Sequence, residues 1–179
     1  MKIYTKTGDK GQSGLFSGER LPKSSSYFEA YGSVDELNAF LGWAASICSS
    51  DELRNLLQQI QNCLHLLSAD LATPLDSSKK IERLESAEVV ILEKGIDQLE
   101  EELQPLKNFI LAGGTELASR LHICRCVARR AEREVCRHSQ AEEVNPVVIQ
   151  YLNRLSDLLF VMARVANRRG GVEDVLWKS

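Results

Sequence analysis

The sequence predicts an all-α protein, an up-and-down bundle of about five helices with an ordered N-terminal loop. Three observations predict it. Apolar residues step by three and four along five separate segments, the period of a helix with one face on a core. Short connections rich in proline, glycine and serine separate those segments. With 179 residues and 44% apolar content, the chain can build one sizeable core without disulfides or a structural metal, so a single domain over residues 1–179 is expected.

The first feature in chain order is TKTGDKGQSG, residues 5–14, a lysine- and glycine-rich stretch in a chain that otherwise reads as helix. It lacks the G-x-x-x-x-G-K-[ST] spacing of a Walker A loop. Its glycines still permit close backbone approach, its successive N–H groups can form a nest, and its threonines and lysines donate further, all of which suits a phosphate. The plainer reading is a short loop with no ligand. Val34, Leu37, Leu41, Ala44 and Cys48 form the first helical seam, with Ser33 and Glu36 read as a capping box at its start. Leu53, Leu57, Ile60, Leu64, Leu67 and Leu71 form the second, and Val89, Leu92, Ile96, Leu99 and Leu103 the third. The polar PLDSSKK is their surface connection, and Pro105 closes the third helix. After LAGG a fourth seam carries Leu117, Leu121, Cys124, Ala128, Ala131 and Val135. Asn145 and Pro146 read as N-cap and first position of a fifth helix, with Val148, Leu152, Leu155, Leu159, Met162 and Ala166 as its seam.

Charge and cysteine usage narrow the function. A formal net charge of -3 argues against general nucleic-acid affinity but leaves room for a local arginine cluster that binds a small polyanion. The N-terminus has no apolar leader, and no stretch reaches the roughly 20 apolar residues of a membrane helix, so a cytoplasmic protein is expected. Cys48, Cys63, Cys124, Cys126 and Cys136 are odd in number without any C-x-x-C pair, so they are expected as reduced core thiols. His122 lies two residues from Cys124, a spacing that points them to different sides of a helix, and His65 and His138 read as isolated. No Glu-x-x-His pair supports a di-iron bundle.

The fourth helix is unusual for what flanks its seam. RLHICRCVARRAEREVCR holds Arg120, Arg125, Arg129, Arg130, Arg133 and Arg137. Arg125, Arg129, Glu132 and Cys136 each follow a seam residue by one, so they form a parallel stripe about 100° around the helix, at the border of the core. Arg133 extends the positive face, and Glu132 is placed to orient either neighbouring guanidinium. Clustered guanidinia repel one another, so an anion is the missing partner; the plainer reading is a solvated face laced with salt bridges. The fifth helix, YLNRLSDLLFVMAR, is apolar nearly all round yet holds Asn153, Arg154, Ser156 and Asp157, groups that burial would oblige to find partners. Arg154 and Asp157 can pair at i,i+3, whereas Asn153 has no local partner.

The ordered motifs YTKTGDKG, SGERLPK, EAYGSVDELNAFLG, NFILAGG, LHICRCVARRAER and YLNRLSDLLFVMAR resemble those of the PduO-type ATP:cob(I)alamin adenosyltransferases. The resemblance runs from Ile3 to about Arg168. Two departures are visible: Ala112 stands where the family usually has proline, and GQSG replaces a threonine-bearing version. The closing VLWKS is shorter than the tail of longer members, which leaves tail contacts to the corrinoid unassigned.

The resemblance implies transfer of the 5'-deoxyadenosyl group of ATP to cob(I)alamin, with release of inorganic triphosphate. It implies ATP contacts from Thr5, Lys6, Thr7, Gly8, Ser13, Gly14 and Lys23, and from Arg129, Arg130, Glu132, Arg133 and Asn153. Around the corrinoid it implies an intersubunit pair of Asp35 and Arg125, with Phe109 on the lower face and Phe160 in the same apolar pocket. Arg129, Arg125, Asp35 and Phe109 are thereby the expected catalytic set. Magnesium on the ATP phosphates, a homotrimer with sites between subunits, a reductase supplying Co(I) and a downstream adenosylcobalamin-dependent enzyme are the implied partners. The competing reading is a non-catalytic corrinoid escort or sensor with the same fold, whose sign would be loss of the ATP cradle; Lys6, Lys23, Arg129, Arg133 and Asn153 are all present.

Overall fold

The structure is a computed structural model and describes residues 2–178. A small antiparallel hairpin, β1 (Gln12–Gly14) and β2 (Arg20–Pro22), precedes five helices: α1 (Ser26–Ala45), α2 (Asp51–Leu71), α3 (Ser86–Glu100), α4 (Glu116–His138) and α5 (Pro146–Arg169). All five expected seams are buried where the helical period put them, with Leu103 packed on the core just beyond the end of α3. In space α4 packs against both α1 and α5, while α2 lies on α1 and α3 on α5. The bundle therefore reads α2–α1–α4–α5–α3 across its section.

Helix starts follow side-chain chemistry. Ser50, Thr115 and Asn145 cap α2, α4 and α5 by accepting from Leu53 N, Ala118 N and Val147 N. Asn145 and Pro146 thus take the places expected of them. The capping box at Ser33 and Glu36 does not form. Tyr27 and Ala30 carry the apolar stripe one further turn back, so α1 starts at Ser26 with Ser25 as its cap. Ser33 then lies mid-helix, its hydroxyl donating to Ala30 O at 2.7 Å, and Glu36 reaches Arg130 of α4.

Two expectations about sulfur and imidazole need correction. All five cysteines are free, but only Cys48 and Cys124 are buried in the core, and Cys126 is exposed. His122 and Cys124 are both buried despite their spacing, because α4 is covered on two flanks by α1 and α5. Neither remaining histidine is isolated: His65 Nε2 lies 3.3 Å from Asn38 Nδ2, and His138 Nδ1 lies 2.9 Å from Ser26 Oγ.

The long α2–α3 connection is held by one buried carboxylate. Asp70, 3% exposed, accepts from Arg83 Nη1 at 2.5 Å, Leu84 N at 3.0 Å and Asn145 Nδ2 at 2.7 Å. Arg83 also donates to the carbonyls of Thr73 and Pro74. One side chain thus ties the end of α2, the entry to α3 and the cap of α5. Asp70→Ala leaves the part-buried Arg83 guanidinium without a carboxylate and the Leu84 N–H without its acceptor, and it is expected to cost about 3 kcal/mol of stability. Urea unfolding at one fixed protein concentration measures this. A loss below about 1 kcal/mol would show that the hub is not what secures the connection.

Candidate functional site

α4 sorts its six arginines by partner. Arg120 donates to Glu116 and to Trp43 O, both at 2.5 Å, with its guanidinium 4.3 Å from the Trp43 ring centroid. Arg130 pairs with Glu36, and Arg137 with Glu134. Among the described residues, Arg125, Arg129 and Arg133 have no carboxylate partner. Arg133 Nη1 donates to Arg129 O at 3.0 Å, which lays one guanidinium along the other's backbone. Glu132 does not orient an arginine as expected; it accepts from Asn153 Nδ2 at 2.9 Å, the cross-helix partner that spacing within α5 could not supply. The polar cluster of α5 is not buried as a group. Asn153 and Asp157 are exposed, Arg154 pairs with Asp157 and Glu93, and Ser156 donates to Asn153 O at 2.9 Å.

Beside this cationic face lies a pocket of about 720 Å³ lined by Phe109, Arg125, Phe160 and Trp177, with Lys107 and Asn108 at one side. Arg125 and Phe160 also line an adjoining hollow of about 320 Å³ shared with Arg129, Ser156 and Asp157. The surface therefore runs without a break from aromatic rings to free guanidinia. Phe109 is 82% exposed, so it is not a packing residue of the bundle end. Its ring meets Trp177 edge-on, 6.5 Å between centroids. Trp177 escaped the sequence reading because the tail offered no period or motif. Behind Phe160, His122 is buried with no hydrogen-bond partner on either ring nitrogen, and burial, then the nearby Arg125 charge, lowers its pKa.

The expected N-terminal loop is a hairpin whose ends bring lysine onto glycine. Lys23 N donates to Gly11 O at 2.8 Å, and the Lys23 ammonium lies over Gly8, where an added Cβ would come within 3.3 Å of it. Lys6 takes a φ of 60°, a left-handed conformation uncommon for a side chain of its kind, and Thr5 and Thr7 share a 2.9 Å hydroxyl contact beside it. Arg20 donates to Thr7 O at 2.7 Å, and Ser13 and Gly14 sit in the ladder opposite Leu21 and Arg20. Burial raises the Tyr31 phenol, with nearby Ser13 acting to lower it and the charge of Asp35 to raise it further. Hairpin, Tyr31 and Asp35 thus form one neighbourhood. Among the described residues, no hydrogen bond or ion pair joins the hairpin to Arg129 or Arg133, and none joins Asp35 to Arg125. Within one chain the hairpin and the free guanidinia are thus two separate groups.

Comparison with known proteins gives these two groups a context. A family model described as cobalamin adenosyltransferase matches residues 3–166. The chain is 46% identical over 179 residues to the corrinoid adenosyltransferase of Bacillus subtilis, covering 98% of this chain and 91% of that one. It is 41% identical over 182 residues to the corrinoid adenosyltransferase of Homo sapiens, covering 98% and 73%. A solved phenylalanine-to-alanine variant of a PduO-type ATP:corrinoid adenosyltransferase from Lactobacillus reuteri, complexed with cobalamin and ATP, superposes with a TM-score of 0.96 at 40% identity, covering 99% of this chain and all (100%) of that one.

Three guanidinia without carboxylate partners on one face should hold a polyanion. Inorganic tripolyphosphate is expected to bind the chain, and Arg129→Ala or Arg133→Ala to weaken it about 30-fold, the loss of one charge-assisted contact of ~2 kcal/mol. Titration calorimetry at constant salt reads this directly. Unchanged affinity in both variants would return the face to an ordinary solvated one.

Proposed function

The chain belongs to the cobalamin adenosyltransferase family, and from that premise we propose how its two half-sites divide the work of an ATP:corrinoid adenosyltransferase. The reaction joins the cobalt of cob(I)alamin to the 5' carbon of ATP. The C5'–O bond breaks, its electron pair leaves with inorganic triphosphate, and adenosylcobalamin forms. Because Co(I) is the nucleophile, the protein's tasks are alignment, neutralisation of the leaving triphosphate and exclusion of water. The observation that carries the residue assignment is the continuous surface from Phe109 and Phe160, through Arg125, to Arg129.

On this reading the aromatic pocket takes the corrin ring, with Phe109 at its lower face, and Arg129 and Arg133 take the triphosphate with Asn153 and Glu132 beside them. Arg130 joins them only by releasing Glu36. The hairpin, through Thr5, Lys6, Thr7, Gly8, Ser13, Gly14 and Lys23, closes on ATP from the other side. Since no hydrogen bond or ion pair joins it to Arg129 or Arg133 among the described residues, a neighbouring subunit is the proposed source of the hairpin, with Asp35 of that subunit meeting Arg125. A contact between unlike surfaces repeats head to tail and forms a ring when its rotation closes, and the homotrimer is such a ring of three. Magnesium fits as an ion carried in by ATP. Among the described residues, no group of three or more His, Cys, Asp or Glu side chains could cage a metal, whereas magnesium on phosphates needs few protein oxygens, here Thr5, Thr7 or Glu132. The ion supplies charge neutralisation on the triphosphate. No described helix is long and apolar enough to cross a membrane. A cytoplasmic enzyme fed by a reductase and serving an adenosylcobalamin-dependent enzyme completes the proposal.

Anaerobic incubation with cob(I)alamin, ATP and magnesium, followed in the visible spectrum, tests the chemistry; loss of the Co(I) band without adenosylcobalamin would sink it. The shared site is tested by mixing. Lys6→Ala and Arg129→Ala are each expected to lose most activity alone, and a mixture refolded together should recover a fraction, because some sites then combine two intact halves. No recovery, with mixed oligomers demonstrated, would place both halves in one chain.

A further inference from the structure

After α5 the chain doubles back along the pocket loop. Leu111 N donates to Val175 O and Trp177 N to Phe109 O, both at 2.8 Å, with Ile110 bridged to Leu176. The segment bearing Phe109 is thus laid straight by the tail beside it. Two buried residues of α5 decide where that tail can lie. Arg164, 7% exposed, donates from Nε to Asp174 Oδ2 at 2.7 Å and from Nη2 to Gln104 O at 2.9 Å. Asn167, 3% exposed, accepts from Thr115 N at 2.8 Å and donates to Gly113 O at 3.0 Å and to Asp174 Oδ1 at 3.4 Å. Gly114, at φ +107°, packs so closely on this carboxamide that a Cβ would overlap it. Arg164 and Asn167 therefore grip the two ends of the pocket loop, at Gln104 and at Gly113–Thr115. Asp174 engages both, one carboxylate oxygen on each.

We propose that Asp174 is a positioning residue for the corrinoid: by locking Arg164 and Asn167 to the tail, it sets where Phe109 and Trp177 stand over the pocket. It touches no reacting atom. The carboxylate is required because Arg164 is almost wholly desolvated and, without Asp174, keeps only the Gln104 carbonyl as a partner. An amide in its place cannot neutralise the guanidinium, and the tail is released toward solvent. The inference rests on reading the pocket as the corrinoid site, so the test has one arm that needs no ligand.

The chain has two tryptophans, Trp43 and Trp177, so Trp43→Phe makes Trp177 a single reporter on the tail. Trp177 is already 53% exposed, so the reporter reads mobility rather than exposure: in that background Asp174→Asn is expected to lower the ligand-free Trp177 fluorescence anisotropy about twofold. It should also raise KM for the corrinoid about tenfold with KM for ATP unchanged, and Asp174→Glu should restore part of both. Unchanged anisotropy would show that Asp174 does not hold the tail. Changed anisotropy with unchanged corrinoid KM would show that the tail does not set the pocket. Equal losses for corrinoid and ATP with a lowered Tm would reduce Asp174 to general stability. If the Trp43→Phe reference makes no adenosylcobalamin, the functional reading is what fails, and the ligand-free arm still decides the clasp.

Discussion

The C-terminal half of α5 is covered on every side, and much of the molecule is arranged around that burial. From Val161 to Asn167 every residue is buried, including Arg164 and Asn167. A stretch of helix without a solvent face must satisfy each polar group within the protein, so its polar residues dictate where neighbouring segments lie. At its N-terminal end Asn145 binds the Asp70 carboxylate and the carbonyl of Leu84, which fixes the crossing between α2 and α3. At its C-terminal end Arg164 and Asn167 fix the loop of Phe109 and the tail. Both long connections of the bundle are thus placed by the ends of one buried helix.

The same burial explains where the free charges stand. With α5 enclosed, α4 is flanked on two sides, and only a strip beside its seam remains open. Arginines toward α1 find Glu36 or the Trp43 ring, while Arg125 and Arg129 share a hollow with Ser156, Asp157 and Phe160 of α5, and Arg133 lies along Arg129. Asn153 donates to Glu132, so this carboxylate engages α5 rather than Arg129 or Arg133. The cationic face is a consequence of which neighbours are occupied.

This division also explains how much could be read from the sequence. Helical seams are legible because a buried face repeats every three or four residues, and all five were placed correctly. The hairpin has no such signal, because strands as short as Gln12–Gly14 and Arg20–Pro22 give alternation no room to show. The start of α1 is hard to place from sequence because a serine followed by glutamate three residues on is ambiguous when the apolar stripe continues upstream. Contacts between segments left no trace in spacing: Asp70 with Arg83, Arg164 with Asp174, Asn153 with Glu132 and the position of Trp177 all depend on packing. The adjacency of Phe109, Phe160 and Arg125 was legible only through resemblance to a family, and here they line one pocket.

What the interior withholds fits the chemistry as well as what the surface offers. Burial pushes the Cys124 thiol up to about 12 and lowers the His122 pKa, so the charged form of each is disfavoured, and neither His122 nitrogen has a hydrogen-bond partner. Transfer of an adenosyl group to Co(I) asks for no such group, since the metal brings the electron pair and the triphosphate takes one away. Geometry and charge at the far end of the breaking bond are the protein's contribution, and both trace back to α5: its C-terminal residues hold the aromatic loop, and its exposed edge leaves three guanidinia free for an anion. A fold that puts its polar precision into fixing loops can leave the bond-making to its substrates.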